Sequence, residues 1–150
     1  MTTFRFRLAT LLRLRESTRD ERRLELARAY QADDLLRREE QRVEDELAGL
    51  TRLVRHAAGP GPVNVDGLLE AQRFEIVLKA QRQHLARQRE MVGAEIERRR
   101  QALVEANRDV QVLERLRQRQ ADRHRDEENR RDILRIDEVA QRRTAGEEVE

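Results

Sequence analysis

Cysteine is absent from this 150-residue chain, and so is tryptophan. Without thiols there can be no disulfide, no thiolate metal site and no cysteine nucleophile. Aromatic residues make up 3% of the chain, and Phe4, Phe6, Tyr30 and Phe74 are scattered, so there is no set on which nucleic-acid bases could stack. No apolar run reaches the 18 or so residues that a membrane-spanning helix needs. Proline occurs twice and glycine six times, and half of those glycines fall with both prolines in one stretch. Lys79 is the only lysine.

What is present is charge and helix-forming composition. Charged residues make up 41% and hydrophobic residues 37%, with a mean hydropathy of -0.94. A thick globular core is excluded, while the wealth of Arg, Glu, Gln, Leu and Ala favours long helices over disorder. The 32 basic and 30 acidic side chains are interleaved and leave a net charge of +2. No broad cationic field exists to displace counterions from a nucleic acid. The densest basic stretch after Arg15, "KAQRQHLARQR", spreads Lys79, Arg82, Arg87 and Arg89 too thinly to make one. The opening "MTTFRFRLATLLRLRE" has four arginines before its first acid, Glu16, in the manner of a mitochondrial presequence. No cleavage-like boundary follows and the helical pattern runs on, so it reads as the start of a helix.

The stretch "AAGPGPVNVDG", residues 57–67, breaks any helix, and Asp66 makes a plausible N-cap for the next one. Before the break a heptad column reads Leu8, Arg15, Arg22, Ala29, Leu36, Val43, Leu50. A second column, four residues on, reads Leu12, Arg19, Leu26, Asp33, Glu40, Leu47, Val54. This is a coiled-coil seam with charged interruptions between 15 and 40. After the break the seam reads Ala71, Leu78, Leu85, Val92, Arg99, Ala106, Leu113, flanked by Ile96, Leu103 and Val110. The expected fold is all-α: a single antiparallel two-helix coiled-coil hairpin over 1–150 with a longer, overhanging second helix. Its parts are helix 1 at about 4–57, a loop at 58–66, helix 2 at about 67–142 and a disordered tail at 143–150. The helices would be roughly 80 Å and 115 Å long. Folding about residue 61 or 62 sets residue i near 123 minus i, so Leu8, Leu11 and Leu12 meet Leu113 and Leu116.

That register explains an odd segment. "RQRQADRHRDEENRRD", residues 117–132, contains one apolar residue, Ala121. Past about residue 119 helix 2 has no facing helix, so the segment is expected to be solvated on every side, with Asp126–Arg130 and Glu127–Arg131 pairs for local support. Apolar residues return at Ile133, Leu134, Ile136, Val139 and Ala140.

Enzymatic chemistry finds no footing. His56, His84 and His124 stand apart with no H-E-x-x-H arrangement and read as exposed helix positions; "GPGPVNVDG" lacks the G-K-[ST] of a P-loop. Two long helices offer no enclosed pocket to raise a carboxyl pKa. The expectation is a non-enzymatic protein with no cofactor, no metal, no nucleic acid and no small-molecule substrate. One open alternative is a homodimeric coiled-coil scaffold whose overhang pairs with another copy.

Residues 110–143, "VQVLERLRQRQADRHRDEENRRDILRIDEVAQRR", resemble the flagellar export protein FliJ family. The matching elements are Val110, Val112, Leu113, Glu114 and Leu116, then Glu127, Glu128, Arg130 and Arg131, then Asp137, Glu138 and Ala140. At the start, Phe4, Phe6, Leu8, Leu11 and Leu12 are similar to the family's F-x-F-x-L-x-x-L-L opening. Phe74 with Leu78 is similar to a feature after the loop. The resemblance implies an antiparallel coiled coil like the central stalk subunit of rotary ATPases. It implies a stalk and adaptor that inserts the end with both termini into the hexameric export ATPase and contacts the cytoplasmic part of the export gate membrane protein through the region nearer the loop. It also implies assistance to export chaperones and a cytoplasmic location at the inner face of the membrane. The stalk of a virulence type III secretion system is the alternative within this class. On the ATPase side the resemblance points to Phe4, Phe6, Leu8, Arg130, Arg131, Ile133, Leu134, Ile136, Asp137 and Glu138; on the gate side, to Gln72, Phe74 and Leu78.

Overall fold

The structure is a computed structural model that describes residues 3–147, and the side chains of 3–142. Two helices form an all-α antiparallel hairpin: α1, Ala9–Ala57, and α2, Val65–Glu147. No strand occurs among the described residues. By contacts the chain divides into two compact units, the described residues of Met1–Asp20 with Val104–Glu150, and Glu21–Leu103.

The connection between the helices is built from ordinary end chemistry. Arg55 and His56 occupy the last turn of α1, where positive charge suits the carbonyl end of the helix dipole. The Ala58 N–H donates to the Val54 carbonyl at 3.0 Å and the Gly59 N–H to the His56 carbonyl at 3.2 Å. Gly61 sits at φ 148°, a conformation that side chains with a Cβ rarely adopt. The cap of α2 is Asn64, not Asp66: its Oδ1 accepts from the Gly67 N–H at 3.1 Å. Asp66 lies in the first turn, where its charge still favours the helix dipole. α2 continues to Glu147, past the expected end at 142; of the tail expected at 143–150, residues 148–150 lie outside the described residues.

In the unit Glu21–Leu103 the core is Val43, Leu47, Leu78 and Leu85, with Leu36 and Leu50 packed on it. Val43 is completely buried. The charged interruptions of the α1 seam are matched by arginines from α2. Arg89 donates to Glu40 at 2.7 Å and to Asp33 at 3.3 Å. Arg99 donates to the Glu25 carbonyl at 2.5 Å and to Glu95 at 2.7 Å, and Arg100 to the Tyr30 hydroxyl at 2.9 Å. These bonds hold the Arg89 guanidinium above its ordinary pKa, chiefly through Glu40 and then Asp33. They hold the Glu95 carboxyl below its ordinary value, chiefly through the hydrogen bond from Arg99. The expected register sets 41 opposite Arg82 and 24 opposite Arg99, and the observed partners Glu44 and Glu25 lie within a helical turn of it. The long arginines Arg89 and Arg100 reach further, to Glu40 and Tyr30, six and seven residues from the expected 34 and 23.

In the other unit Phe6, Leu12, Val110 and Leu113 form the core, with Phe4, Ala9 and Leu116 against it. Arg15 pairs with Asp109 at 3.3 Å, again antiparallel. α1 begins at Ala9, not near residue 4, and residues 3–6 lie outside helix. Burial explains the difference. In a helix Phe4 and Phe6 would point about 200° apart, whereas in extended chain residues i and i+2 face the same side. Leaving the helix lets both rings pack on α2.

Candidate functional site

The N-terminal strap reaches further along α2 than a helix would. Residues 7 and 8 form a turn in which the Ala9 N–H donates to the Phe6 carbonyl at 3.3 Å, and residues 3–6 before it lie outside the helix, where each residue can advance about 3.3 Å instead of 1.5 Å. Phe4 therefore meets His124, with ring centroids 5.8 Å apart at an interplanar angle of 58°. This corrects two expectations. His124 is half-buried rather than an exposed helix position, and it lies near Glu128, Nδ1 to Oε2 4.0 Å. The segment 117–132 is not solvated on every side: Gln120, Ala121, Asp122, His124 and Glu128 are partly covered. The fully exposed stretch begins later, and every described side chain from Asn129 to Arg142 is exposed.

The residues expected to face an ATPase thus fall into two groups. Phe6 belongs to the core, Phe4 is half-buried, and Leu8 is on the surface at the start of α1. Arg130, Arg131, Ile133, Leu134, Ile136, Asp137 and Glu138 are all exposed on α2. Ile133, Leu134 and Ile136 are 57%, 62% and 66% exposed, and Val139, which follows on the same helix, is 55% exposed. The structure does not bring the two groups together: His124, where the strap ends, precedes Arg130 by six residues, about 9 Å of helix rise. An open cleft beside the strap is lined by Arg5, Arg7 and Arg13 with Phe4 and Phe6. Arg5 and Arg7 alternate with Phe4, Phe6 and Leu8 in "FRFRL", a period of two that points away from helix in the sequence itself.

The loop-side set also divides. Gln72 is exposed and Phe74 is 49% exposed, whereas Leu78 is 2% exposed in the core against Val43, Leu47 and Leu85. A partner can touch Phe74 and Gln72, while Leu78 acts by holding α2 in place. Exposed apolar residues toward the loop that the sequence reading did not single out include Leu53, Ile76 and Val77. Val77 follows Phe74 by three residues and so lies beside it on the helix surface. Leu53 and Val77 fall off the heptad columns, which is the one signal that could have marked them.

The chemistry open to this surface is association. Among the described residues no group of three His, Asp or Glu side chains could hold a metal ion, and no helix is long and apolar enough to cross a membrane. Apolar side chains standing singly on a surface are common, whereas Ile133, Leu134, Ile136 and Val139 stand exposed together within seven residues of one helix. Sequence comparison matches residues 4–148 to the family model described as flagellar FliJ protein. No curated protein and no solved structure matches the chain.

Proposed function

The chain belongs to the flagellar FliJ family, whose place is in flagellar export, and from that premise we propose that it is a non-enzymatic stalk and adaptor of the export apparatus. It engages the hexameric export ATPase through the terminal end of α2. It contacts the cytoplasmic part of the export gate through the loop end, and it assists delivery by export chaperones. It works in the cytoplasm, at the inner face of the membrane. The observation that carries the reading is the stretch Asn129–Arg142, where Ile133, Leu134, Ile136 and Val139 stand exposed among charges of both signs. An apolar group left in water at a helix end gains about 25 cal/mol per Å² when a partner covers it. The flanking Arg130, Arg131, Asp137 and Glu138 supply orientation through complementary charge.

A stalk has to be polar enough to sit in a socket without aggregating, and a two-helix seam with a charged exterior meets that need. Phe74 and Gln72 are the surface residues that support the gate contact. The family match is to a flagellar protein, which favours the flagellar over the virulence system. The test is truncation after Asn129, which spares the Phe4–His124 contact. The truncated chain should melt like the full chain and fail to bind or stimulate the purified hexameric ATPase. Full binding by the truncated chain would refute the reading.

A further inference from the structure

The exposed end of α2 carries a charge order that reverses on itself. In chain order it runs acidic at Asp126, Glu127 and Glu128, basic at Arg130 and Arg131, apolar at Ile133 to Ile136, acidic at Asp137 and Glu138, and basic at Arg142. Read backwards about the point between Leu134 and Arg135, Glu138 falls on Arg131 and Glu127 on Arg142, while Asp137 falls level with Asp132, which lies on the other edge of the face. Ile133 and Ile136, three residues apart, share one face of the helix. Arg130 and Asp137, seven residues apart, lie along one edge of that face. Arg130 and Asp137 make no ion pair among the described residues. Asp132, just before the apolar block, pairs with Arg135, the charged residue inside it, at 3.6 Å.

We propose that a second copy of this chain covers this face, with the two α2 ends pairing antiparallel about the point between Leu134 and Arg135. In that arrangement Ile133 of one copy lies against Ile136 of the other. Arg130 of each copy meets Asp137 of the other, so the pair of ions occurs twice by symmetry. The outer blocks add a weaker attraction, because a helix diameter is comparable with the screening length of about 10 Å. An in-register parallel pairing would join opposite edges of the face and set Asp132 of one copy against Asp137 of the other, which repels, so the charge order selects the antiparallel form. A contact of two isoleucines a side is small beside the ~1,200 Å² of a stable interface. The dimer is therefore weak and exchanging, and it hides the apolar face of the free protein. This inference goes beyond the ATPase reading and stands without it.

The full chain can be tested alone by sedimentation velocity across a concentration series. The wild type should shift from monomer to dimer as concentration rises toward about 1 mM, the range of a weak interface, and the dissociation constant should weaken as salt screens the ion pairs. Arg130→Asp and Asp137→Arg should each abolish the shift while leaving the far-ultraviolet circular dichroism unchanged. Mixing the two variants should restore association as a heterodimer, because every facing pair is then opposite in sign. A wild type that stays monomeric overturns the proposal. So do single variants that dimerise as well as the wild type, or a mixture that fails to associate.

Discussion

Leu78 and Phe74 stand four residues apart on α2, one buried and the other half exposed, and one pair of substitutions separates the core role of the first from the contact role proposed for the second. Leu78→Ala removes three carbons from a side chain that is 2% exposed and packed on Val43, Leu47 and Leu85. At ~0.8 kcal/mol per carbon the transfer loss is about 2.4 kcal/mol. A cavity contribution adds to this, and buried Leu→Ala substitutions span about 2–5 kcal/mol in all. A two-helix seam has solvent on both flanks and can close partly over the gap, so the lower end applies, about 3 kcal/mol. Phe74→Ala removes a ring that is 49% exposed. It forfeits only part of its transfer energy and opens no enclosed cavity, so its cost should stay near 1 kcal/mol. Urea unfolding followed by helical circular dichroism measures both, and equal slopes would show that the denatured states match. Gate binding should fall for Phe74→Ala at full helicity. If Leu78→Ala costs under about 1 kcal/mol, or Phe74→Ala costs as much as Leu78→Ala, the division into core and contact residue is wrong.

Phe6→Ala should release the strap: amides near residues 120–124 would exchange faster while those near Val43 keep their protection, and unchanged exchange at 120–124 would count against the strap. Asn64→Ala should cost about 1 kcal/mol through loss of the cap on α2, measurably more than Asp66→Ala in thermal melts; the reverse order would restore Asp66 as the cap. Because the folded state lowers the pKa of Glu95, its bond with Arg99 stabilises the fold above the ordinary carboxylate pKa. That contribution is lost as pH falls through the lower folded value. Glu95→Gln should therefore melt below the wild type at neutral pH and match it in strong acid, whereas a constant gap across that range would contradict the assignment.

Much of this was legible in the sequence because the heptad pattern and the break at residues 57–67 constrain the same fold. Val43 and Leu47, and Ala71, Leu78, Leu85, Ala106 and Leu113, are buried as their columns predict, but of Leu8, Leu11 and Leu12 only Leu12 joins the core with Leu113, and Phe6 takes the place expected of Leu8. What escaped had a different period or a local cause. "FRFRL" alternates every two residues, but lying next to a helical run it was read with the helical period, so the strap and its reach to His124 were missed. Asp66 looks as good a cap as Asn64, and only the geometry of the turn after Gly61 separates them. Leu78 carries the same family likeness as Phe74, but its place in the seam Ala71, Leu78, Leu85 already marked it for burial. The partner-facing residues cannot follow from periodicity at all, because a solvated helix end and a docking face have the same composition until something covers one of them.

The central claim is that the exposed end of α2 is where the export ATPase binds. Hydrogen exchange of the full chain, alone and with the purified hexameric ATPase, tests it most directly. In the complex, amides from about 129 to 142 should slow markedly, with smaller changes around the strap, while those near Phe74 stay as they are in the free chain. Protection confined to residues near the loop, or none anywhere on α2, would contradict the claim.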